Sequence, residues 1–307
     1  MSARVAVVGA TGTIGAAVSG ALLERGASVL ALSRGESPEN AVSRARLAAG
    51  GAELRDIADL TDVDALAALL RGSDALVVAI RASPRIIPAT EPAILAAALR
   101  AGVGRFVPDD FGTHSMATPY GVSAHFDEKK RFHETLDASG MEWTVIYPGG
   151  IAEYFLPNLR PPATVYAWGD RALRLPIHTL RDIGAITARA VLDARAARYA
   201  VGLHANLLST DELIAALESR WPGRTYSLDV LTSEQLEHLH RHAEADPGDA
   251  RLSQREIMGI SYANYVLGLL GAPDHPGTLD AGTLYPDHVF EDPRELLADP
   301  AFVFGQP

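Results

Sequence analysis

Two apolar periods alternate along the first 150 residues. Residues 4–8, 28–32, 52–56, 75–80, 105–107 and 143–147 are short strand-like runs, three of them (4–8, 28–32 and 75–80) nearly unbroken in Val, Leu, Ile and Ala. Runs of that kind fit strands covered on both faces. Between them lie segments with helical spacing, at 12–25, 37–50, 61–71, from Glu91 onward, and at 127–139. In the first of these Ile14, Val18, Ala21 and Leu22 share one face, and Gly26 supplies a stop. Ser37-Pro38-Glu39 reads as an N-cap followed by proline at the first helical position, and Glu91-Pro92 as another helix opening. Strands alternating with amphipathic helices predict an α/β fold with a doubly wound parallel sheet.

After Tyr147-Pro148-Gly149-Gly150 the texture changes. Proline, aromatics and short strands fill 154–168, and helices are expected at 181–192, 211–220, 233–242 and 254–270. The division expected is a dinucleotide-binding domain at 1–150 and a smaller C-terminal α/β lobe at 151–307. The boundary is soft, because segments of such lobes return to the sheet. No internal repeat or low-complexity segment interrupts the chain.

The loop Gly9-Ala10-Thr11-Gly12-Thr13-Ile14-Gly15 follows the first strand and opens the first helix. In that context the first glycine permits a tight turn, Gly12 admits a pyrophosphate to the backbone, and Gly15 lets the helix pack closely. Free N–H groups at the helix start then face negative charge. This is the Rossmann-type dinucleotide site. The second strand ends in Leu32-Ser33-Arg34. An NAD site would place a carboxylate there, whereas Arg34 and Ser33 suit a 2′-phosphate, so the cofactor expected is NADPH/NADP+.

Composition narrows the class. Hydrophobic residues make up 48% and charged residues 21% of the chain, which excludes a disordered or collagen-like protein. The absence of cysteine excludes thiolate chemistry, and a net charge of −11 counts against nucleic acid and anionic membrane as partners. With no apolar run long enough to span a bilayer and no signal-peptide pattern, a cytoplasmic location is expected. Of the 27 basic residues only Lys129 and Lys130 are lysine. Arginine substitutes for lysine wherever charge alone is needed, but not where a proton must come off near neutral pH.

Several further motifs resemble the isoflavone-reductase-like group of atypical short-chain dehydrogenases, which includes phenylcoumaran benzylic ether and pinoresinol–lariciresinol reductases, with NmrA-like regulators as cousins. Arg105-Phe106-Val107-Pro108-Asp109-Asp110-Phe111-Gly112 is similar to the group's R-F-x-P-S-E-F-G. Gly140-Met141-Glu142-Trp143-Thr144 stands in place of its G-I-P-Y-T, and residues 150–157 resemble its segment ending G-Y-F-x-P. The family's catalytic lysine lies 15 residues before that threonine, which from Thr144 reaches Lys129. The resemblance implies hydride transfer from NADPH to a benzylic or allylic carbon, an enone or a carbonyl of a small aromatic or polyketide-like substrate, with Lys129 assisting by moving a proton.

It also implies that Ile80, Phe111, Pro148, Gly149 and Ile151 lie against the cofactor. Tyr120, Tyr154 and Phe155 are implied for the substrate wall, with ordinary core packing the competing reading for the last two. Asp109-Asp110 departs from the family's Ser-Glu. His125 stands four residues before Lys129, where ordinary short-chain dehydrogenases have tyrosine, and could shuttle a proton or simply line the loop. His238, His240 and His242 read as a solvated helix face rather than a metal site. The assembly expected is compatible with a homodimer. The alternative function is an NmrA-like sensor that binds NADP(H) without turnover.

Overall fold

The computed structural model of this 307-residue chain describes residues 2–155, 164–220, 222–223, 227–242, 252–271 and 275–298. The alternating half folds into β1 (Arg4–Val8), α1 (Thr13–Glu24), β2 (Ser28–Ser33), α2 (Ala41–Ala49), β3 (Glu53–Asp56) and α3 (Val63–Leu70). It continues through β4 (Ala75–Val78), α4 (Ile87–Ala101), β5 (Arg105–Val107), α5 (Ala124–Ala138) and β6 (Glu142–Tyr147). Beyond it come β7 (Gly150–Ile151), α6 (Ala152–Phe155), β8 (Thr164–Trp168), β9 (Leu175–His178), α7 (Leu180–Ala190) and β10 (Tyr199–Gly202). The remainder comprises β11 (Leu207–Leu208), α8 (Thr210–Arg220), β12 (Ser227–Leu231), α9 (Ser233–His242), α10 (Gln254–Tyr265), β13 (Thr278–Asp280), α11 (Ala281–Leu284) and α12 (Pro293–Ala298).

Two compact units form, and neither is continuous in sequence. The first comprises residues 1–111, 128–146 and 180–201, the second 112–127, 147–179 and 202–307. In the first unit the strands stand in the order β3-β2-β1-β4-β5-β6, with β10 beyond β6. The five pairings from β3 to β6 are all parallel. Chain order reverses between β1 and β4, and in such sheets ligands bind outside the strands' carboxyl ends at that crevice. Val5, Val7, Val77 and Val78 are fully buried, as expected for strands with helices on both faces.

Three helix starts differ from the sequence expectation, each for a local reason. Ser37 does not cap a helix. Its N–H binds Asn40 Oδ1 in a turn, and α2 begins at Ala41. The helix assigned to Glu91-Pro92 starts earlier, at Ile87 with Pro88 in its first turn, so Pro92 lies inside it and Glu91 is buried. α5 starts at Ala124 rather than at 127 and therefore carries His125 as well as Lys129. At the other end of the chain α10 stops at Tyr265, short of the expected 270.

α5 is anchored to the sheet by Phe132, whose ring lies 5.8 Å from that of Phe106 on β5, and by fully buried Leu136. Lys129, Phe132, His133 and Leu136 follow the i, i+3, i+4, i+7 rule and are all buried. The lysine thus stands on the apolar stripe of its helix. Lys130 is buried too.

The second unit contains a three-stranded sheet in the order β11-β9-β7 and a parallel pair, β12 with β8. Trp168 at the end of β8 packs edge-on against Tyr265 of α10, with centroids 5.6 Å apart. No helix among the described residues is long and apolar enough to cross a membrane.

Candidate active site

The glycine loop has the close packing its sequence requires. Gly9 has φ +81°, and a Cβ there would sit 2.1 Å from Ala79 O, so only glycine fits between β1 and the end of β4. A Cβ on Gly15 would meet Gly9 O at 2.1 Å, which is how α1 comes down onto the loop. Gly12 is the N-cap of α1 in extended backbone and provides no side-chain cap. The first-turn N–H groups, including those of Thr13 and Ile14, have no intrahelical partner and are available to an anion. Thr11 sits within the same loop. The cradle fits a dinucleotide pyrophosphate.

At the end of β2, Ser33 is buried and Arg34 exposed. A third group, not picked out from the sequence, joins them. Arg44 Nη1 of α2 donates to Ser33 Oγ at 2.8 Å and to Asp56 Oδ1 at 2.7 Å. It lies 11 residues from Ser33, one helical turn into α2, and its only sequence signal is a basic residue on the face turned to the strand end. Ser33 still has its own hydroxyl proton to give. The corner therefore offers two guanidinium groups and a hydroxyl where a 2′-phosphate would lie.

The lysine occupies a different medium. Lys129 Nζ stands 3.8 Å from Asp109 Oδ2 and 3.8 Å from Asp110 Oδ1, and all three side chains are buried. The other oxygen of Asp110 accepts a 2.8 Å bond from His133 Nε2. Glu91 reaches the same cluster from α4, and its buried Oε1 has no hydrogen-bond partner. Burial pushes the Glu91 carboxyl up to about 8, opposed by Lys129 and reinforced by Asp109 and Asp110. The Asp109 carboxyl is pushed up to about 6, mainly by burial, with Lys129 and the Ile80 N–H opposing and Asp110 adding to the rise.

For Lys129 burial works downward, but Asp109, Asp110 and Glu91 together outweigh it and hold the ammonium above its ordinary value. A lysine chosen because its proton leaves easily near neutral pH would show the opposite shift. The surrounding carboxylates reverse the direction expected from composition.

Ile80 links the cradle to this cluster. Its Cγ2 would lie 3.2 Å from a Cβ on Gly9, and its N–H bonds the Asp109 carboxyl. Phe111, which is half-buried, follows Asp110 in the segment after β5.

The remaining predicted residues belong to the second unit. Pro148, Gly149 and Ile151 are buried. Gly149 has φ +74°, with Pro176 O where a Cβ would go, and the Pro148 carbonyl accepts a 2.8 Å bond from His178 Nδ1. His178 was not anticipated. It is fully buried, and burial above all depresses its pKa to about 4, so the ring is a neutral strut under the turn. Sequence alone gave no signal for it, since its partner lies 30 residues away.

His125 packs edge-on against Phe126 at 5.5 Å. Tyr120 is 53% exposed and Tyr154 46% exposed, and Tyr154 stands on α6 rather than on a strand, which rules out core packing for it. Phe155 ends α6, and its side chain lies outside the described residues. The His238 and His242 rings are 4.4 Å apart, and His240 stacks on Tyr262.

Known proteins share both the sequence pattern and this architecture. Phenylcoumaran benzylic ether reductase Pyrc5 of Pyrus communis is 30% identical over 224 residues, 66% of this chain and 68% of that protein. Phenylcoumaran benzylic ether reductase PT1 of Pinus taeda is 27% identical over 96% of this chain and 98% of its own. The binary complex of leucoanthocyanidin reductase with NADPH from Vitis vinifera superposes with a TM-score of 0.82 at 24% identity, covering 96% of this chain and 98% of that one. The model of the NmrA-like family matches residues 1–246. A parallel sheet with this strand order, the glycine cradle at its crevice and a family match over most of the chain lead to one conclusion: the protein belongs to the NmrA-like family.

Proposed function

We propose that this protein is an NADPH-dependent oxidoreductase that reduces a small aromatic or polyketide-like metabolite at a benzylic or allylic carbon, an enone or a carbonyl. The observation that carries this reading is the run of contacts from Gly9 through Ile80 and Asp109 to Lys129. It sets a buried ammonium group beside a dinucleotide cradle. A protein that only reports cofactor binding has no use for that group. Relatives named as benzylic ether reductases support the substrate class.

Held in the cradle, NADPH would supply a hydride. The backbone N–H groups of the α1 start would bind its pyrophosphate, and Arg34, Arg44 and Ser33 its 2′-phosphate. Ile80 and Phe111 would line the nicotinamide end. Lys129 stands ready to stabilise negative charge growing on a phenol, alkoxide or enolate oxygen, and low local dielectric strengthens that interaction. His125, Tyr120, Tyr154 and Phe155 are assigned to the substrate side.

The test is NADPH oxidation with aromatic ketones, enones and benzylic ethers. Turnover with at least one class, faster with NADPH than with NADH, supports the reading. Tight NADP(H) binding with no oxidation across all three classes would overturn it in favour of a sensor.

A further inference from the structure

We propose that Asp109 acts as a proton store for Lys129, so that the proton delivered to the substrate oxygen originates on a carboxyl group and passes through the ammonium. The inference rests on the reductase reading and names the source of the reaction's proton. It starts from the three carboxyl groups around one cation. Asp110 has both oxygens turned to donors, Oδ1 to Lys129 and Oδ2 to His133, so both are already engaged as acceptors. Glu91 lies deepest, with one oxygen unbonded, as suits a group that stays protonated at neutral pH. Asp109 remains. Its Oδ2 faces Lys129 Nζ, Asp110 stands next to it in the chain, and the Ile80 N–H steadies it from just beyond β4.

These are the titratable groups that face Asp109: Lys129 from α5, Asp110 beside it and Glu91 from α4, with His133 acting through Asp110. Two like charges crowded against one cation cannot both ionise freely, so one carboxyl group holds its proton into the range where the enzyme would work. The raised pKa of Lys129 then stops being an obstacle. As Nζ–H breaks and the substrate O–H forms, the amine takes the proton of Asp109, one O–H breaking and one N–H forming. The lysine is charged before and after. The carboxylate left on Asp109 is reprotonated from solvent, and the hydride added at carbon would come from the NADPH of the reductase reading. The 3.8 Å separation would close on substrate binding, since such contacts are often long in the free enzyme. Asp109 acts through Lys129 and touches no substrate atom.

The experiment compares wild type with Asp109→Asn, which keeps the shape without the proton, and Asp109→Ser, a smaller replacement that also cannot titrate. Carboxyl titration is followed in the protein alone by infrared or 13C measurement, and kcat against pH with any substrate found by the oxidation screen. In wild type a carboxyl group titrating near pH 6 should be present, be lost in both variants, and move to higher pH in Lys129→Met. Reduction by wild type should slow as pH rises through that range. In the variants it should be slower by on the order of 10²-fold and flat with pH. A wild-type titration curve that survives Asp109→Asn overturns the proposal even if no substrate is found. So does a variant with the wild-type rate and pH profile. Absence of turnover in wild type counts against the reductase reading instead.

Discussion

The corner at the end of β2 and the cluster around Lys129 are both built from cations and carboxylates, yet they do different work because they sit in different media. At the corner Arg34 is exposed and Arg44 pairs with a half-exposed Asp56. Water and salt screen such charges, so they act through direct contact with a ligand. Around Lys129 four ionisable side chains are buried together. There each charge shifts its neighbours, and the lysine that composition marked as easily deprotonated becomes the most firmly charged member. Burial, more than residue type, separates a binding charge from a reactive one.

The contrast can be broken first at Lys129. Lys129→Ala should lower turnover by on the order of 10²–10⁴-fold and leave NADPH affinity nearly unchanged. Lys129→Arg keeps the charge but cannot pass a proton, and should lose nearly as much turnover. Near-normal activity of the arginine variant would reduce the lysine to a fixed charge. Steady-state rates at saturating NADPH check both.

Next in size comes the corner. A charge-assisted hydrogen bond is worth roughly 1.5–3 kcal/mol, so Arg34→Ala should weaken NADPH about 10- to 150-fold and leave NADH untouched. Arg44→Ala should weaken NADPH as well and also release Ser33 and Asp56. Fluorescence titration of both cofactors measures this. Equal weakening of NADPH and NADH would show that the pair supports the fold and reads no phosphate.

Smaller effects follow at the two residues that support the site from behind. His178→Leu leaves the Pro148 carbonyl without its donor, which costs about 1–3 kcal/mol of stability and should raise KM more than it lowers kcat. Because the ring is neutral above pH 5, the wild-type KM should not titrate with it. Glu91 holds its proton from its ordinary 4.5 up to about 8. Across that window the folded protein binds more protons than the unfolded chain. Its contribution to stability is therefore complete below about pH 4.5 and is lost as pH rises through 8. Glu91→Gln should remove a slope of at most about 1.4 kcal/mol per pH unit, seen by urea unfolding at several pH values.

Much of this was legible in the chain. Alternating periods gave the parallel sheet, and the loop Gly9–Gly15 carried its own structural requirement, because turn, close approach and packing each demand glycine there. Arg34 was readable because it replaces an expected carboxylate. Lys129 was readable twice, from scarcity and from motif spacing. What stayed hidden depends on distance or on burial. His178 acts on a partner 30 residues away with no local pattern to mark it, and Arg44 carries only the weak signal of a basic residue one turn into its helix. Glu91 was read as a helix opener because proline follows it, yet Pro88 had already opened that helix, and the extra turn buries the carboxyl. The stripe of Lys129, Phe132, His133 and Leu136 was present in the sequence, and it implied a buried lysine that the motif reading alone did not predict.

One pair of variants tests the division of labour most directly. NADPH dissociation constants and single-turnover reduction rates at saturating cofactor would be measured for wild type, Arg34→Ala and Lys129→Ala. A crossed pattern is expected, with Arg34→Ala binding NADPH about 10- to 150-fold more weakly but reacting at the wild-type rate once saturated. Lys129→Ala should bind as wild type and react on the order of 10²–10⁴-fold more slowly. If either variant moves both quantities together, the exposed corner and the buried cluster are not separate devices, and the account is wrong.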